Sequence, residues 1–307
     1  MDSDSVVGSI EGQRHYPLTT LRVIRGVLCL LVLVSTAFVL LVYFGFWTAI
    51  ILRFFSVHHS RKASAFFFGI WIALWPFFFE KINKTKVVFS GDQVPDKERV
   101  LLVANHRTEV DWMYLWDLAL RKGCHGYIRE QKCKRSQKYA SENGLPVLKN
   151  VLLPKTKGFY ACLENLRGSL DAVYDITIGY RHRCPSFLDN IFGVDPAEVH
   201  IHVNRVSLSE IPTSEIEVSS WLMNMFSLKD KMLSDFYRKG HFPREGSEQE
   251  LSQIKCAVNF IFVMILTGTC TFFTFFSIWF RIYVSLVCAY MASATCFNLR
   301  PTPIFQF

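Results

Sequence analysis

Two uncharged runs constrain this chain more than anything else in it. Gly26–Leu52 continues for 27 residues without a charged side chain, and Ala257–Phe280 for 24. As helices they would be about 40 Å and about 36 Å long, enough to cross the hydrocarbon of a bilayer with some tilt. The first is too long to be the apolar core of a secretory signal peptide. Each is followed by a shorter apolar segment. Ala63–Phe79, with Pro76 near its end, gives about 25 Å of helix and reads as a span at full stretch or as a re-entrant or interfacial segment. A core helix of a soluble domain is the competing reading. Beyond Arg281, Ile282–Phe297 adds 16 further uncharged residues. The pattern predicts an N-terminal tail and membrane helices over 1–80, a soluble middle over 81–250, and a C-terminal membrane helix pair over 251–307.

Arg22 and Arg25 flank one end of the first run and Arg53, Arg61 and Lys62 the other, so the flanking charges do not set an orientation. If each long and short pair folds as a hairpin, both termini and the soluble middle share one side, and the basic middle points to the cytosol. A net charge of +8 suits anionic headgroups or a phosphorylated substrate. Nucleic acid is not an expected partner, because no nucleic-acid motif accompanies the charge. The nine cysteines are odd in number and irregular in spacing, which is not a disulfide framework. Cys124, His125 and Cys133 lack a fourth ligand at zinc spacing, so no metal is expected.

In the middle, Lys86–Phe89, Val100–Val103, Val147–Leu153, Ala172–Ile178 and Val199–Val206 have the character of strands. Asp111–Leu120, Ser136–Glu142 and Phe159–Leu166 read as helices, the last stopped by Gly168. Val218, Trp221, Leu222, Met225, Phe226, Met232, Leu233 and Phe236 fall at helical spacing, giving a long amphipathic helix to about Tyr237. Strands interleaved with helices imply an α/β domain.

Within it, His106 lies at the end of a strand and Asp111 at the start of a helix. Five residues on a continuous helix would turn the two side chains about 140° apart, and on a continuous strand they would face opposite ways. They meet only if Arg107-Thr108-Glu109-Val110 bends, with Thr108 as the N-cap. Asp111 in the first helical turn could then accept a hydrogen bond from His106 and fix its tautomer, leaving the other ring nitrogen to act as a base. A His and an Asp at this spacing are common by themselves. The flanking string, V-A-N-H-R-T-E-V-D-W over Val103–Trp112, is not.

That string resembles the N-H-x-x-x-x-D signature of glycerolipid acyltransferases. N-G-L-P-V-L-K-N-V-L-L-P-K-T-K-G-F (Asn143–Phe159), D-A-V-Y-D-I-T-I-G-Y (Asp171–Tyr180) and H-F-P-R-E-G (His241–Gly246) narrow the resemblance to the plant-type membrane-bound 1-acylglycerol-3-phosphate acyltransferases. It covers nearly the whole chain. The resemblance implies an α/β acyltransferase domain flanked by membrane helices and held at the endoplasmic reticulum. It implies transfer of a fatty acyl group from acyl-CoA to lysophosphatidic acid, with membrane lipid as surroundings and no bound cofactor. His106 would be the general base and Asp111 its orienting partner. The developing oxyanion would need donors, and no acyl-enzyme is required. Lys155 and Lys157, beside Gly158, are the best candidates for the substrate phosphate, with Arg107 a third. The bland alternative for the lysines is a solvated basic loop, and for Arg129, Lys132, Lys134, Arg135 and Lys138 a solvated helix face.

The chain also departs from the family pattern. An Arg-containing block and an F-P-E-G block belong between the His-Asp motif and Pro154, and neither is present. F-P-R-E-G at Phe242–Gly246 is not a substitute, because it carries an inserted Arg244 and lies far downstream, so Glu245 is not assigned to substrate binding. Gly123–Ile128 runs directly into Arg129–Lys134, as if several tens of residues were excised near Ile128/Arg129. The α/β domain is therefore expected to be incomplete. The alternative function is a catalytically impaired membrane isoform that binds lipid or its full-length counterpart.

Overall fold

The computed structural model describes residues 17–95, 98–122, 148–181, 184–194, 198–244 and 252–298. In chain order its principal elements are α1 (Thr20–Phe55), α2 (Val57–Ile82), β1 (Lys86–Gly91), β2 (Val100–Ala104) and α3 (Asp111–Lys122). There follow α4 (Thr156–Leu166), β3 (Ala172–Tyr180), α5 (Phe187–Phe192), β4 (Glu198–Ser207), α6 (Glu215–Lys239), α7 (Gln253–Phe276) and α8 (Ile278–Cys296). They form two compact units, one drawn from Asn83–Glu250 and the other from Val23–Ile82 with Leu251–Phe307.

In the second unit, α1, α2, α7 and α8 are each long and apolar enough to cross a membrane. The two shorter apolar segments lie within helices of 26 and 19 residues, and α2 packs in this unit rather than in the core of the α/β unit. Ser56 separates α1 from α2 by turning extended, and its hydroxyl accepts the His59 N–H as the N-cap of α2. α1 and α2 run antiparallel, with Trp71 Nε1 donating to Leu33 O and Ser64 Oγ to Thr48 Oγ1. Asn259 Nδ2 donates to Ile70 O, and Tyr43 shares a hydrogen bond with Thr274. A π-helical stretch over Leu40–Gly45 displaces the usual ladder, and the Val42 carbonyl within it accepts the Tyr283 hydroxyl at 3.0 Å. The division between α7 and α8 falls at Ser277, which is extended, and not at Arg281. Arg281 sits in the first turn of α8, where its long stem can carry the charge outward. Leu31, Val34, Ile265 and Leu286 remain mostly exposed on this unit, a face of the kind lipid covers.

Among the described residues, the first unit is built on a four-stranded mixed sheet in the order β1-β4-β3-β2. β1 pairs parallel to β4, β4 antiparallel to β3, and β3 parallel to β2. β3 is buried at all nine positions, as a strand covered on both faces must be. Alternation sorts its side chains. Val173 joins a cluster with Leu163 of α4 and Val218 of α6. A Cβ on Gly179 would meet the Phe236 ring of α6 at 2.8 Å, so the ring lies directly against the β3 backbone there. Tyr180, one residue on, faces the other way and packs edge-on against Tyr114 of α3. Helices thus cover the sheet in two layers, α4 and α6 on one face, α3 and α5 on the other. β2 is an end strand among the described residues and is half-buried along its length.

α6 runs from an N-cap at Ser214 to Gly240, which closes it at φ 79°. Its acidic first turn and basic last turn both favour the macrodipole. Val147–Leu153 was expected as a strand, yet 148–153 form none. Leu148 and Val151 enter the core beside α6. Asn150 donates its backbone N–H to Asp230 Oδ1 and its amide to Asp230 O and Ser234 Oγ, so helix groups serve where a neighbouring strand would. α4 begins at Thr156, ahead of Phe159, and Gly168 lies within a further 3₁₀ turn over Arg167–Ser169. The helix expected over Ser136–Glu142 and the junction at Ile128/Arg129 lie outside the described residues.

Candidate functional site

The site begins where β2 ends. Asn105, 2% exposed, donates Nδ2–H to Ile178 O at 3.0 Å and accepts the Ile178 N–H on Oδ1 at 2.7 Å. Its amide imitates a peptide group and extends the β2–β3 ladder by one rung. His106 is thereby delivered from a fixed strand end. The chain then bends, and α3 starts at Asp111.

Asp111 is 3% exposed and surrounded by donors. Its Oδ2 accepts from His106 Nδ1 at 2.8 Å, from the Arg107 N–H at 2.6 Å and from the Thr108 N–H at 2.9 Å. Its Oδ1 accepts from the Tyr180 hydroxyl. Thr108 does not cap α3 with its side chain. That hydroxyl donates to Pro185 O, while Asp111 itself reaches back to the backbone donors before the helix. An Nδ1–H donated to this carboxylate makes Nε2 the basic nitrogen of a half-buried imidazole. Burial, and next the Asp111 charge, push the Tyr180 phenol well above its ordinary range, so it stays protonated and donates.

Of the three cations proposed for phosphate, Arg107 gives its backbone N–H to that cluster and its side chain to other partners. Arg107 Nη1 donates to Asn150 O at 3.2 Å, and its guanidinium lies 5.6 Å from the Tyr237 ring centroid. Lys155 and Lys157 are exposed at the start of α4, on the same segment as Asn150. Cys124, His125, Cys133 and the basic run from Arg129 to Lys138 lie outside the described residues. Among the described residues no group of three His, Cys, Asp or Glu side chains could hold a metal.

Three contributors escaped sequence reasoning. Asn105 and Tyr180 sit in strings that drew notice for other reasons, and only the parity of β3 and the adjacency of β2 to β3 bring Asn105 to Ile178 and Tyr180 to Asp111. The third is Lys229, which interrupts the apolar stripe of α6 and is 1% exposed. Its ammonium lies 2.5 Å from Asp175 Oδ1 and donates to Ile176 O at 2.6 Å and Val103 O at 3.2 Å. Burial pulls its pKa below the usual lysine value, while the Asp175 pair opposes that pull. Lys229 therefore clasps β2 to β3 just before the strand end that carries His106.

His200 and His202 of β4 are buried in the sheet. His202 Nδ1 meets Ser90 Oγ at 3.0 Å, His200 Nε2 lies 3.3 Å from Glu198, and both rings pack on Phe242. In the F-P-R-E-G string, Phe242 is buried, and Arg244 accepts the Gly91 N–H on its carbonyl and pairs with Asp92. Glu245 lies outside the described residues.

The chain is similar to known proteins. The Acyltransferase family model matches residues 86–134, and the Acyltransferase C-terminus model matches residues 190–263. The chain is 51% identical to the probable 1-acyl-sn-glycerol-3-phosphate acyltransferase 5 of Arabidopsis thaliana, over 94% of each protein. That alignment extends over 353 positions, more than the 307 residues of the whole chain, so it opens gaps opposite the relative. The 1-acyl-sn-glycerol-3-phosphate acyltransferase 2 of Brassica oleracea is 27% identical, over 52% of this chain and 58% of that protein. The crystal structure of the 1-acyl-sn-glycerophosphate acyltransferase PlsC from Thermotoga maritima covers 70% of this chain and 97% of its own. Its identity is 15% and its TM-score 0.36.

Proposed function

The chain belongs to the 1-acyl-sn-glycerol-3-phosphate acyltransferase family, and on that premise we propose that it transfers a fatty acyl group from acyl-CoA to the sn-2 hydroxyl of lysophosphatidic acid, giving phosphatidic acid. The observation that carries the reading is the His106–Asp111 pair, held at 2.8 Å across a strand-to-helix bend. His106 Nε2 takes the proton of the acceptor hydroxyl as its oxygen attacks the thioester carbonyl. The tetrahedral intermediate collapses, the carbon–sulfur bond breaks, and the proton passes from His106 to the departing thiolate. Asp111 holds the imidazole and balances its transient charge. No acyl-enzyme is formed and no bound cofactor takes part.

Arg107, Lys155 and Lys157 are the groups proposed to attract the acceptor phosphate. Arg107 is hydrogen-bonded to the segment that carries both lysines, which supports treating them together. The four apolar helices support an integral membrane protein, for which we propose the endoplasmic reticulum with the α/β unit facing the cytosol.

His106→Ala should abolish transfer, and Asp111→Asn should lower it by roughly 10²- to 10⁴-fold, the usual worth of a positioned acid–base group. The assay uses lysophosphatidate and oleoyl-CoA with the full chain in liposomes. Retention of the parent's rate by His106→Ala would overturn the assignment.

The 353-position alignment favours a second reading of this particular chain. Its gaps are what loss of an internal segment near Ile128/Arg129 would produce. Without the blocks that clamp the acceptor, much of the proximity contribution disappears. We therefore propose that this chain turns over far more slowly than a version with the segment restored, and that its residual role is to bind lipid or the full-length enzyme. Equal turnover by the two forms, at equal protein, would refute that.

A further inference from the structure

We infer that Tyr180 is a positioning residue for the proposed acyl transfer: its hydroxyl, delivered from the end of β3, fixes the Asp111 carboxylate so that Oδ2 stays on His106. The inference rests on the reading of His106 as the base. It concerns a residue on a different element from the H-x-x-x-x-D string.

The two carboxylate oxygens of Asp111 are served unequally. Oδ2 has three donors within five residues of sequence, His106 Nδ1 and the N–H groups of Arg107 and Thr108. Oδ1 has one among the described residues, the Tyr180 hydroxyl. The local donors hold one oxygen as a pivot, and a single pivot does not set rotation of the carboxylate plane. Tyr180 supplies the second point. Its own freedom is small, because it is 2% exposed and its ring lies 6.0 Å from that of Tyr114 at 65°. Tyr114 cannot stand in for it, since its hydroxyl donates to Asn190 Oδ1 at 3.1 Å. A bland packing role would leave the Tyr180 hydroxyl dispensable, yet a buried phenol and a buried carboxylate oxygen each need the other.

The ionisable groups around this latch are His106, Arg107, Asp111, Tyr114 and Asp117 from the motif and α3, with Cys184 beyond β3. Removing the Tyr180 donor leaves the Asp111 charge less well satisfied, so it pulls harder on the His106 proton. The imidazole should then hold its proton to higher pH.

The test follows the His106 ring by nuclear magnetic resonance in the full chain, in detergent micelles with isotope-labelled histidine. Loss of a signal in His106→Gln identifies it. Tyr180→Phe should raise the His106 midpoint by roughly half a unit to one unit, while Tyr114→Phe leaves it in place. The rise should vanish in an Asp111→Asn background. Should Tyr180→Phe fail to fold, a fluorinated tyrosine installed at position 180 keeps the ring and strengthens the donor, and the midpoint should fall. An unmoved midpoint in either variant, or the same shift without the Asp111 carboxylate, would overturn the proposal. The readout needs no turnover, so it stays separate from the base assignment, which falls only if His106→Ala keeps the parent's rate.

Discussion

Lys229→Met measures how strongly one buried cation ties the strand end of the site into the sheet. The ammonium of Lys229 is fully enclosed, 2.5 Å from Asp175 Oδ1 and hydrogen-bonded to carbonyls of both β2 and β3. Methionine keeps the length of the stem and its apolar contacts, so the change removes charge and donors with little loss of volume. It leaves an Asp175 side chain, 11% exposed, against an apolar atom. It also leaves two strand carbonyls each short of a donor. Breaking a buried pair from one side costs about 3–5 kcal/mol, against a total margin of about 5–15 kcal/mol for a typical domain. Each 1.36 kcal/mol is tenfold, so opening of β2 and β3 should rise by roughly a hundred-fold to several thousand-fold. Hydrogen exchange read by mass spectrometry on the full chain in detergent would show it in peptides covering Val100–Ala104 and Ala172–Tyr180. Peptides from α7 and α8, which belong to the other compact unit, should exchange as before. Adding Asp175→Val removes the orphaned charge and suits a strand, so the double variant should recover most of the loss. Exchange in Lys229→Met within about threefold of the parent, less than 1 kcal/mol, would refute the reasoning. So would a double variant worse than the single one.

Burial, followed by Arg244, holds His202 below its ordinary value of 6.5, with Asp175 and Asp92 opposing. The unfolded chain then binds that proton first, so the His202 contribution is complete above about 6.5 and is lost as pH falls toward the lower folded value. Urea midpoints between pH 7.5 and pH 5 should therefore fall more steeply for the parent than for His202→Asn; parallel slopes would count against it. Gly91→Ala places a Cβ 2.1 Å from Val203 O at φ +90° and should cost at least about 1–2 kcal/mol. Gly168→Ala, with nothing within 4 Å, should not, and a thermal melt compares the two. Alkaline carbonate extraction should leave the chain in the membrane pellet, and release to the supernatant would contradict the proposal of an integral membrane protein.

Periodicity made the long elements legible. The stripe from Val218 to Phe236 leads directly to α6, and the uncharged runs to α1 and α7. The strands around the site were readable as apolar runs bounded by polar residues. Val147–Leu153 misled because an apolar run that is buried need not be paired: Asn150 takes its partners from Asp230 and Ser234, which no local pattern announces. In the same way, the break at Ser277 is a backbone event with no charge to mark it. At the site, His106 and Asp111 were legible because the bend that joins them spans only a few residues. Tyr180 and Lys229 were not, since their partners lie 69 and 53 or more residues away and depend on strand order. Strand order is a property of the whole sheet, and a single sequence read locally does not contain it.

β2 and β3 lie side by side, yet residues 105–171 separate them, whereas only 181–197 separate β3 from β4. The entropy of closing a loop grows with the logarithm of its length, about 0.6 kcal/mol per doubling. A connection several tens of residues shorter or longer would therefore change the cost of bringing these strands together very little. The order of assembly is more sensitive than the equilibrium. The β3–β4 pair can zip locally, while β2 must wait for the long closure. During synthesis, the bend that joins His106 to Asp111 can close once α3 has left the ribosome, whereas Tyr180 follows the end of α3 by roughly sixty residues of chain. A nascent chain halted ahead of Ala172 would hold the pair with its second anchor still unmade, and emergence of β3 is the event that finishes it.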